Sequence, residues 1–417
     1  MNKRIHSKRQ AGLSLGLMAS ALSSLMLVNT ASALDLEFNP SLGIELADDW
    51  SVLELDWPEL DDPFAHTGSG QSSPPISSSR IALLAGYQQQ GDQGQAQDLQ
   101  LRIGNQLQQF LSPHWYFQLD SELRLSWPDW QQLQAQGYIW QASLEHSRGP
   151  WQQQLGWQSL NWGAVMGAQV LDVASPSRLE VSSDIGGSKV PQLMFINQYY
   201  GQSWRSQSFV TPWPSVSLSL DATSEAKAGV ELGQALYWQG SGYDLGLYAA
   251  WLYDDLASLD DQGQLRLASY GLLGSSLSLA RGLHLWDWDL AVKLNKTQTE
   301  QIERLSRGTR VESALGWQRG WQHFGSINAF VRAGSWLQQE NDWDAAIALA
   351  WNREWTNQRL ALALTQMQEL RSQQGVSLAQ LSWNQTDAWQ QQWQLQRVEI
   401  KDQQPQWQGQ WQLNFFF

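Results

Sequence analysis

Charged residues in this chain recur at i, i+2 spacing. Asp120, Glu122 and Arg124 follow it, as do Asp287 and Asp289, and Arg310 and Glu312. Two carboxylates close together can divide the work of general acid and base. On an extended chain, however, i and i+2 share one face. Interleaved with mainly apolar residues at the intervening positions, these charges read as solvated groups on the wet side of a wall. The histidines His66, His114, His146, His284 and His323 have no close metal-ligand spacing, and His114 and His323 fall at expected turns. No local motif supports a Ser-His pair. The chain is therefore read as a non-enzyme with no catalytic residues, metal or cofactor.

Strands must carry these charges, because side chains alternate across a strand with period two. Phe117, Leu119, Leu123, Leu125 and Trp127 alternate with Gln118, Asp120, Glu122 and Arg124. Trp286, Trp288, Leu290, Val292 and Leu294 alternate with Asp287, Asp289, Lys293 and Asn295. At the C-terminus Trp407, Trp411, Leu413, Phe415 and Phe417 oppose Gln408, Gln410, Gln412 and Asn414. Charges keep to one face, as in a barrel with lipid outside and water inside. No amphipathic helix offers a second layer. The expected lumen wall is Arg102, Asp120, Glu122, Arg124, Asp287, Asp289, Lys293, Arg310, Glu312 and Arg332.

The N-terminus sets the compartment. Lys3, Arg4, Lys8 and Arg9 precede an apolar stretch to Val28, and Ala31-Ser32-Ala33 has the small-x-small form of a cleavage site. This is a secretory signal peptide, with cleavage expected after Ala33. No later run approaches the ~20 apolar residues of a membrane helix. The 26 Trp residues suit membrane interfaces. Mean hydropathy of -0.41 is compatible with a barrel, since half of each strand faces water. The chain contains no cysteine, which a barrel closed by its own ladder does not need. Its net charge is -14. Residues 35–79 hold ten acids and no Lys or Arg, and nucleic acid is excluded as a partner on that balance.

Short turns and longer connections alternate. Tight turns are expected near Ser112-Pro113-His114, Arg148-Gly149-Pro150, Gly201-Gln202, Gly240-Ser241-Gly242, Arg281-Gly282, Arg319-Gly320, Thr356-Asn357 and Thr386-Asp387. Longer polar connections lie between them, the longest over 161–189. The count predicts 18 strands, or 16 if the blurred pattern over 190–211 hides none. A phase slip between Leu378 and Leu381 predicts a bulge.

One segment departs from wall composition. It reads Gly156-Trp157-Gln158-Ser159-Leu160-Asn161-Trp162-Gly163, then Val170-Leu171-Asp172-Val173-Ala174-Ser175-Pro176, then Lys189-Val190-Pro191 and Tyr199-Tyr200. It resembles a family of uncharacterised proteobacterial outer-membrane barrels, similar in type to the alginate-export barrels. The resemblance spans about 45 residues, with Trp157 and Ser177-Arg178 departing from the family pattern. It implies transport or export across the outer membrane, beside an RND-type transporter component in the periplasm or inner membrane. Trp162, Leu171, Val173 and Ile185 suit a loop folded into the barrel, with Trp162, Gly163, Asp172, Ser175, Pro176, Lys189 and Pro191 at a constriction. A packed loop that only pins barrel shape is the equal alternative.

The expected organisation is a signal peptide over 1–33, an acidic periplasmic segment over 34–79, and an all-β transmembrane antiparallel barrel over 80–417. The acidic segment reads first as a tail and second as a plug. Leu413, Phe415 and Phe417 form the expected signal to the barrel-assembly machinery, and outer-membrane lipid is the expected surround. The expected function is a channel or export conduit for polar or amphipathic solutes. A non-conducting structural or partner-docking barrel is the alternative.

Overall fold

The computed structural model describes residues 76–89, 95–128, 133–168, 170–171, 174–175, 189–214, 229–254, 258–259, 265–298, 306–338, 342–355, 359–401 and 404–417. The signal peptide, its cleavage site after Ala33 and the acidic segment up to residue 75 lie outside the described residues, as do Asp172 and Pro176.

The strands are β1 (Ile76–Gln89), β2 (Gln95–Ser112), β3 (Trp115–Pro128), β4 (Gln134–Arg148), β5 (Trp151–Gln158), β6 (Gln192–Tyr200), β7 (Trp204–Thr211), β8 (Glu231–Gly240) and β9 (Tyr243–Tyr253). After a small hairpin, β10 (Ser258–Leu259) and β11 (Leu265–Arg266), come β12 (Ser269–Arg281), β13 (His284–Gln298), β14 (Ser306–Trp321) and β15 (Gly325–Trp336). The wall ends with β16 (Trp343–Trp355), β17 (Leu360–Glu369), β18 (Gly375–Thr386), β19 (Trp389–Glu399) and β20 (Gln406–Phe416). Eighteen of these strands form one sheet in which each pairs antiparallel with its sequence neighbours. Among the described residues there is no helix.

The sheet closes on itself. Strand β20 pairs with β1 from Arg80↔Phe416 to Gln89↔Trp407. Beyond that ladder, Ser79 N–H donates to the Phe417 carbonyl (2.9 Å) and Phe417 N–H to the Ser79 carbonyl (3.0 Å). Closure leaves no edge, and in lipid each unpaired backbone group would cost several kcal/mol. Phe417→Ala is expected to lower the yield of folded barrel, since it keeps the backbone seam but removes the ring that packs on Phe415 (5.5 Å). Heat-modifiable gel migration reads that yield, and an unchanged folded fraction would remove Phe417 from assembly.

Outward positions are apolar. Leu83, Leu155, Leu247, Leu315, Val331, Leu349 and Leu395 are all exposed. Aromatic side chains gather at the short-turn end, where Trp151–Tyr199 (4.8 Å), Tyr199–Trp204 (5.0 Å), Trp389–Phe415 (4.7 Å) and Phe324–Trp351 (5.7 Å) make ring contacts. Such a girdle fits a membrane–water boundary.

Two local expectations fail. Arg319 and Gly320 are not a turn; they sit inside β14, opposite Ile327 and Ser326. The chain reverses three residues later, between Trp321 and Gly325, because outward Trp317 and Trp321 keep the strand in phase. No bulge separates Leu378 from Leu381. They pair without a break to Thr365 and Leu362, so Leu378 turns inward while Leu381 faces out. The irregularity in β18 lies at Asn384/Thr386 instead.

Candidate functional site

The longest connection, between β5 and β6, enters the barrel. Leu160, Trp162, Val165, Ala168, Val170, Leu171 and Ala174 form one buried cluster with inward side chains of β6–β9 and β12–β17. Met194, Ile196, Phe209, Leu252 and Leu272 supply the wall side of that cluster. Burial of each large side chain contributes roughly 1.5–3 kcal/mol. This packing explains the blurred alternation over 190–211: β6 is apolar on both faces, with exposed Phe195 outward and Met194 and Ile196 under the loop.

Polar anchors fix the loop's path. Trp162 is 4% exposed and lies against Phe209 and Tyr248, with ring centroids 5.3 Å away in each case. Its indole N–H donates to Gln207 Oε1 (3.1 Å). Ser175 Oγ accepts from Leu160 N–H (2.9 Å), and Gln158 Nε2 donates to the Met194 carbonyl (3.2 Å). Asp289 makes the longest-range anchor. Its carboxylate accepts from Ala164 N–H (2.9 and 3.2 Å) and from Val165 N–H (3.0 Å). Gly163 allows this approach, because its φ is +97° and a Cβ there would lie 2.8 Å from Asp289 Oδ2. Lys189 and Pro191, at the loop's far end, are also buried.

All ten wall residues expected from the sequence face inward, but they are not simply solvated. Asp289 is 2% exposed beneath the loop. Asp287 accepts from Ser278 Oγ (2.6 Å). Glu122 lies between Arg80 (3.3 Å) and Arg124 (3.2 Å), and Asp120 is its inward neighbour on β3. Arg124 also stacks over Tyr138, 4.7 Å from the ring centroid. Arg102 stands directly opposite Arg124 and donates to Gln100 Oε1 (3.2 and 2.9 Å). The expectation of a simply solvated wall fails where these charges find partners: on the same strand for Arg102 and Arg124, on a neighbouring strand for Asp287, and in the loop for Asp289.

A second network runs near the long-connection end. Glu312 bonds Lys293 (2.5 Å) and Arg310 (2.5 Å). Arg310 reaches Asp344 (2.7 Å), and Arg332 lies between Asp344 (4.0 Å) and Glu369 (3.7 Å). Lys296 pairs with Asp254 and stands 4.2 Å over the Tyr270 ring. Sequence reading missed Arg80, Asp254, Lys296, Asp344 and Glu369. Most lie near strand ends, where too few alternating neighbours remain to define a phase.

Breaking the hub of this network should be costly. Lys293 and Glu312 are both buried, and removing one partner of a buried pair typically costs about 3–5 kcal/mol. Glu312→Gln is therefore expected to lower the temperature at which gel migration converts to the unfolded form. No change in that temperature would show that water reaches Lys293. Among the described residues no group of three or more His, Cys, Asp or Glu is placed to hold a metal ion.

No protein-family profile and no curated protein matches the sequence. Several solved barrels share the fold. Pseudomonas aeruginosa OccK5 (OpdH) is 8% identical with a TM-score of 0.52, covering 84% of this chain and 99% of its own. P. aeruginosa OccK2 (OpdF), solved in complex with glucuronate, is 9% identical with a TM-score of 0.53, covering 84% and 99%. Acinetobacter baumannii OccAB4 is 7% identical with a TM-score of 0.54, covering 83% and 99%. These neighbours are outer-membrane porins with 18-stranded barrels. They show no link to alginate-export barrels or to RND-type transporters. At such identities the likeness concerns the fold.

Proposed function

We propose that the chain is an outer-membrane channel for small polar solutes, with the β5–β6 loop as its constriction. The observation that carries this reading is the loop itself, drawn against the inner wall by Asp289 and Trp162. A barrel of 18 strands otherwise leaves an aqueous channel. Short turns would face the periplasm and long connections the outside. Trp162, Gly163, Ser175, Lys189 and Pro191 would shape the narrow zone, with Asp172 and Pro176 on the same loop. Outside that zone the paired charges of both signs, from Arg80–Glu122 to Arg332–Glu369, give a transverse field that orients polar solutes. Lipid and the assembly machinery are the partners this reading requires. An export role beside a transporter component would use the same pore.

Planar-bilayer recording tests the reading. The purified full-length barrel is expected to give discrete conductance steps, and a folded variant lacking 164–188 larger ones. A folded wild type and a folded deletion variant that both fail to conduct would favour a structural or partner-docking barrel.

A further inference from the structure

The loop cluster covers only part of the inner wall. A second covered patch lies at the seam, on β20, β1, β2 and β3. Asn414, Ala82, Arg102 and Arg124 form one row across these strands by direct pairing. Gln412, Leu84 and Gln100 form the next inward row. Asn414 is 0% exposed, Arg102 1% and Leu84 2%. Side chains on the inner wall of so wide a barrel should face water. The apolar loop cluster draws on β6–β9 and β12–β17 among the described residues, and not on the seam strands. The patch is also basic: Arg80, Arg102 and Arg124 against Asp120 and Glu122.

We infer that the acidic segment 35–62 of this same chain docks inside the barrel on this patch, its carboxylates on the arginines and its apolar residues over Leu84. Charge supports the match, since residues 35–62 carry ten acids and no Lys or Arg. Acids buried without partners would be costly, and guanidinium groups offer charge-assisted bonds. Position supports it too. The chain enters the wall at Ile76, and Ala82 lies six residues further along β1, about 20 Å at the strand rise. Residues 63–75 can span up to about 45 Å, and Gly68 and Gly70 permit the reversal. Leu53, Leu55, Trp57 and Leu60 supply apolar groups between the acids Glu54, Asp56 and Glu59. This docking goes beyond the channel reading without depending on it.

The absence of native cysteine makes the test direct. Leu84→Cys is combined with a single cysteine moved through positions 50–60 in the full chain, and the protein is oxidised after folding. One or two adjacent positions are expected to form the disulfide in high yield, and 1 M salt, with a Debye length of about 3 Å, should reduce it. Arg102→Gln with Arg124→Gln should cut the yield at least about tenfold, since each lost charge-assisted bond is worth about a decade or more. If the arginine variant fails to give heat-modifiable migration, the ten acids are changed to amides instead, which leaves the barrel untouched. No disulfide at any position in folded protein, or a yield indifferent to both charge changes, overturns the inference. Cross-linking needs no ion flow, so its failure is distinct from failure of the channel reading.

Discussion

Asp289→Ala is expected to release the inward loop and raise single-channel conductance to that of the loop-deletion variant. Two backbone N–H groups, of Ala164 and Val165, lose their carboxylate anchor in this substitution. Hydrogen bonds to a charged group contribute about 1.5–3 kcal/mol each. Losing two lowers the docking equilibrium constant by a factor of about a hundred or more, at 1.4 kcal/mol per decade. The wall itself should survive, because β13 keeps its pairing with β12 and β14 through backbone groups. Asp289→Asn should fall between, since one amide oxygen can still accept.

Asp287 provides the control. It is also an inward acid on β13, two residues away, but its bond goes to Ser278 rather than to the loop. Asp287→Asn removes the same charge from the wall and should leave conductance near that of the wild type. Equal conductance changes in the two variants would mean that Asp289 acts as a wall charge and not as an anchor. Unchanged conductance in folded Asp289→Ala would detach the loop from the pore altogether.

Much of the wall was legible because lipid and water impose the same alternation on every strand. Phe117 to Trp127 and Trp407 to Phe417 each declare a face without reference to any neighbour. The seam joins the two ends of the expected barrel, from Arg80↔Phe416 to Gln89↔Trp407. Alternation fails as a guide where the inner face is dry. Met194, Ile196, Phe209, Leu252 and Leu272 point inward yet are apolar, because the loop and not water covers them.

The site was less legible for a different reason. Asp289 looked like any other wall acid, since its partners lie some 125 residues earlier in the chain. Ion pairs such as Arg310–Asp344 join strands two apart in the wall. Their existence depends on stagger between strands, which no single strand records. Arg102 and Arg124 became a pair only once β2 and β3 were in register. The glycines carried a signal that spacing alone could not rank, because only the structure says which of them a Cβ would obstruct.

Gly156→Ala is expected to be among the most damaging single changes in the wall. Gly156 occupies β5 two residues before the chain leaves for the loop, with φ at +150°. A Cβ there would lie 2.0 Å from the Ala142 carbonyl oxygen and 2.7 Å from Ser143 Cα. Both obstacles are backbone, so no side chain can swing aside. Relief requires parting β5 from β4, where Gly156 pairs with Ser143, or from β6, where it pairs with Met194. Strain of this kind costs on the order of 3 kcal/mol or more, and the displaced strand would also misplace Gln158, whose amide holds the loop's entry at Met194. The folded fraction on heat-modifiable gels should fall, and any molecules that fold should conduct like the Asp289→Ala variant. Gly137 tests whether the effect is specific. It too lies within a strand, β4, but nothing stands within 4 Å of its would-be Cβ. Gly137→Ala should be neutral or stabilise by about 0.5 kcal/mol. Equal folded yields for the two variants would mean that β4 and β5 yield at their contact, and that the glycine opening the loop segment is not what holds it in place.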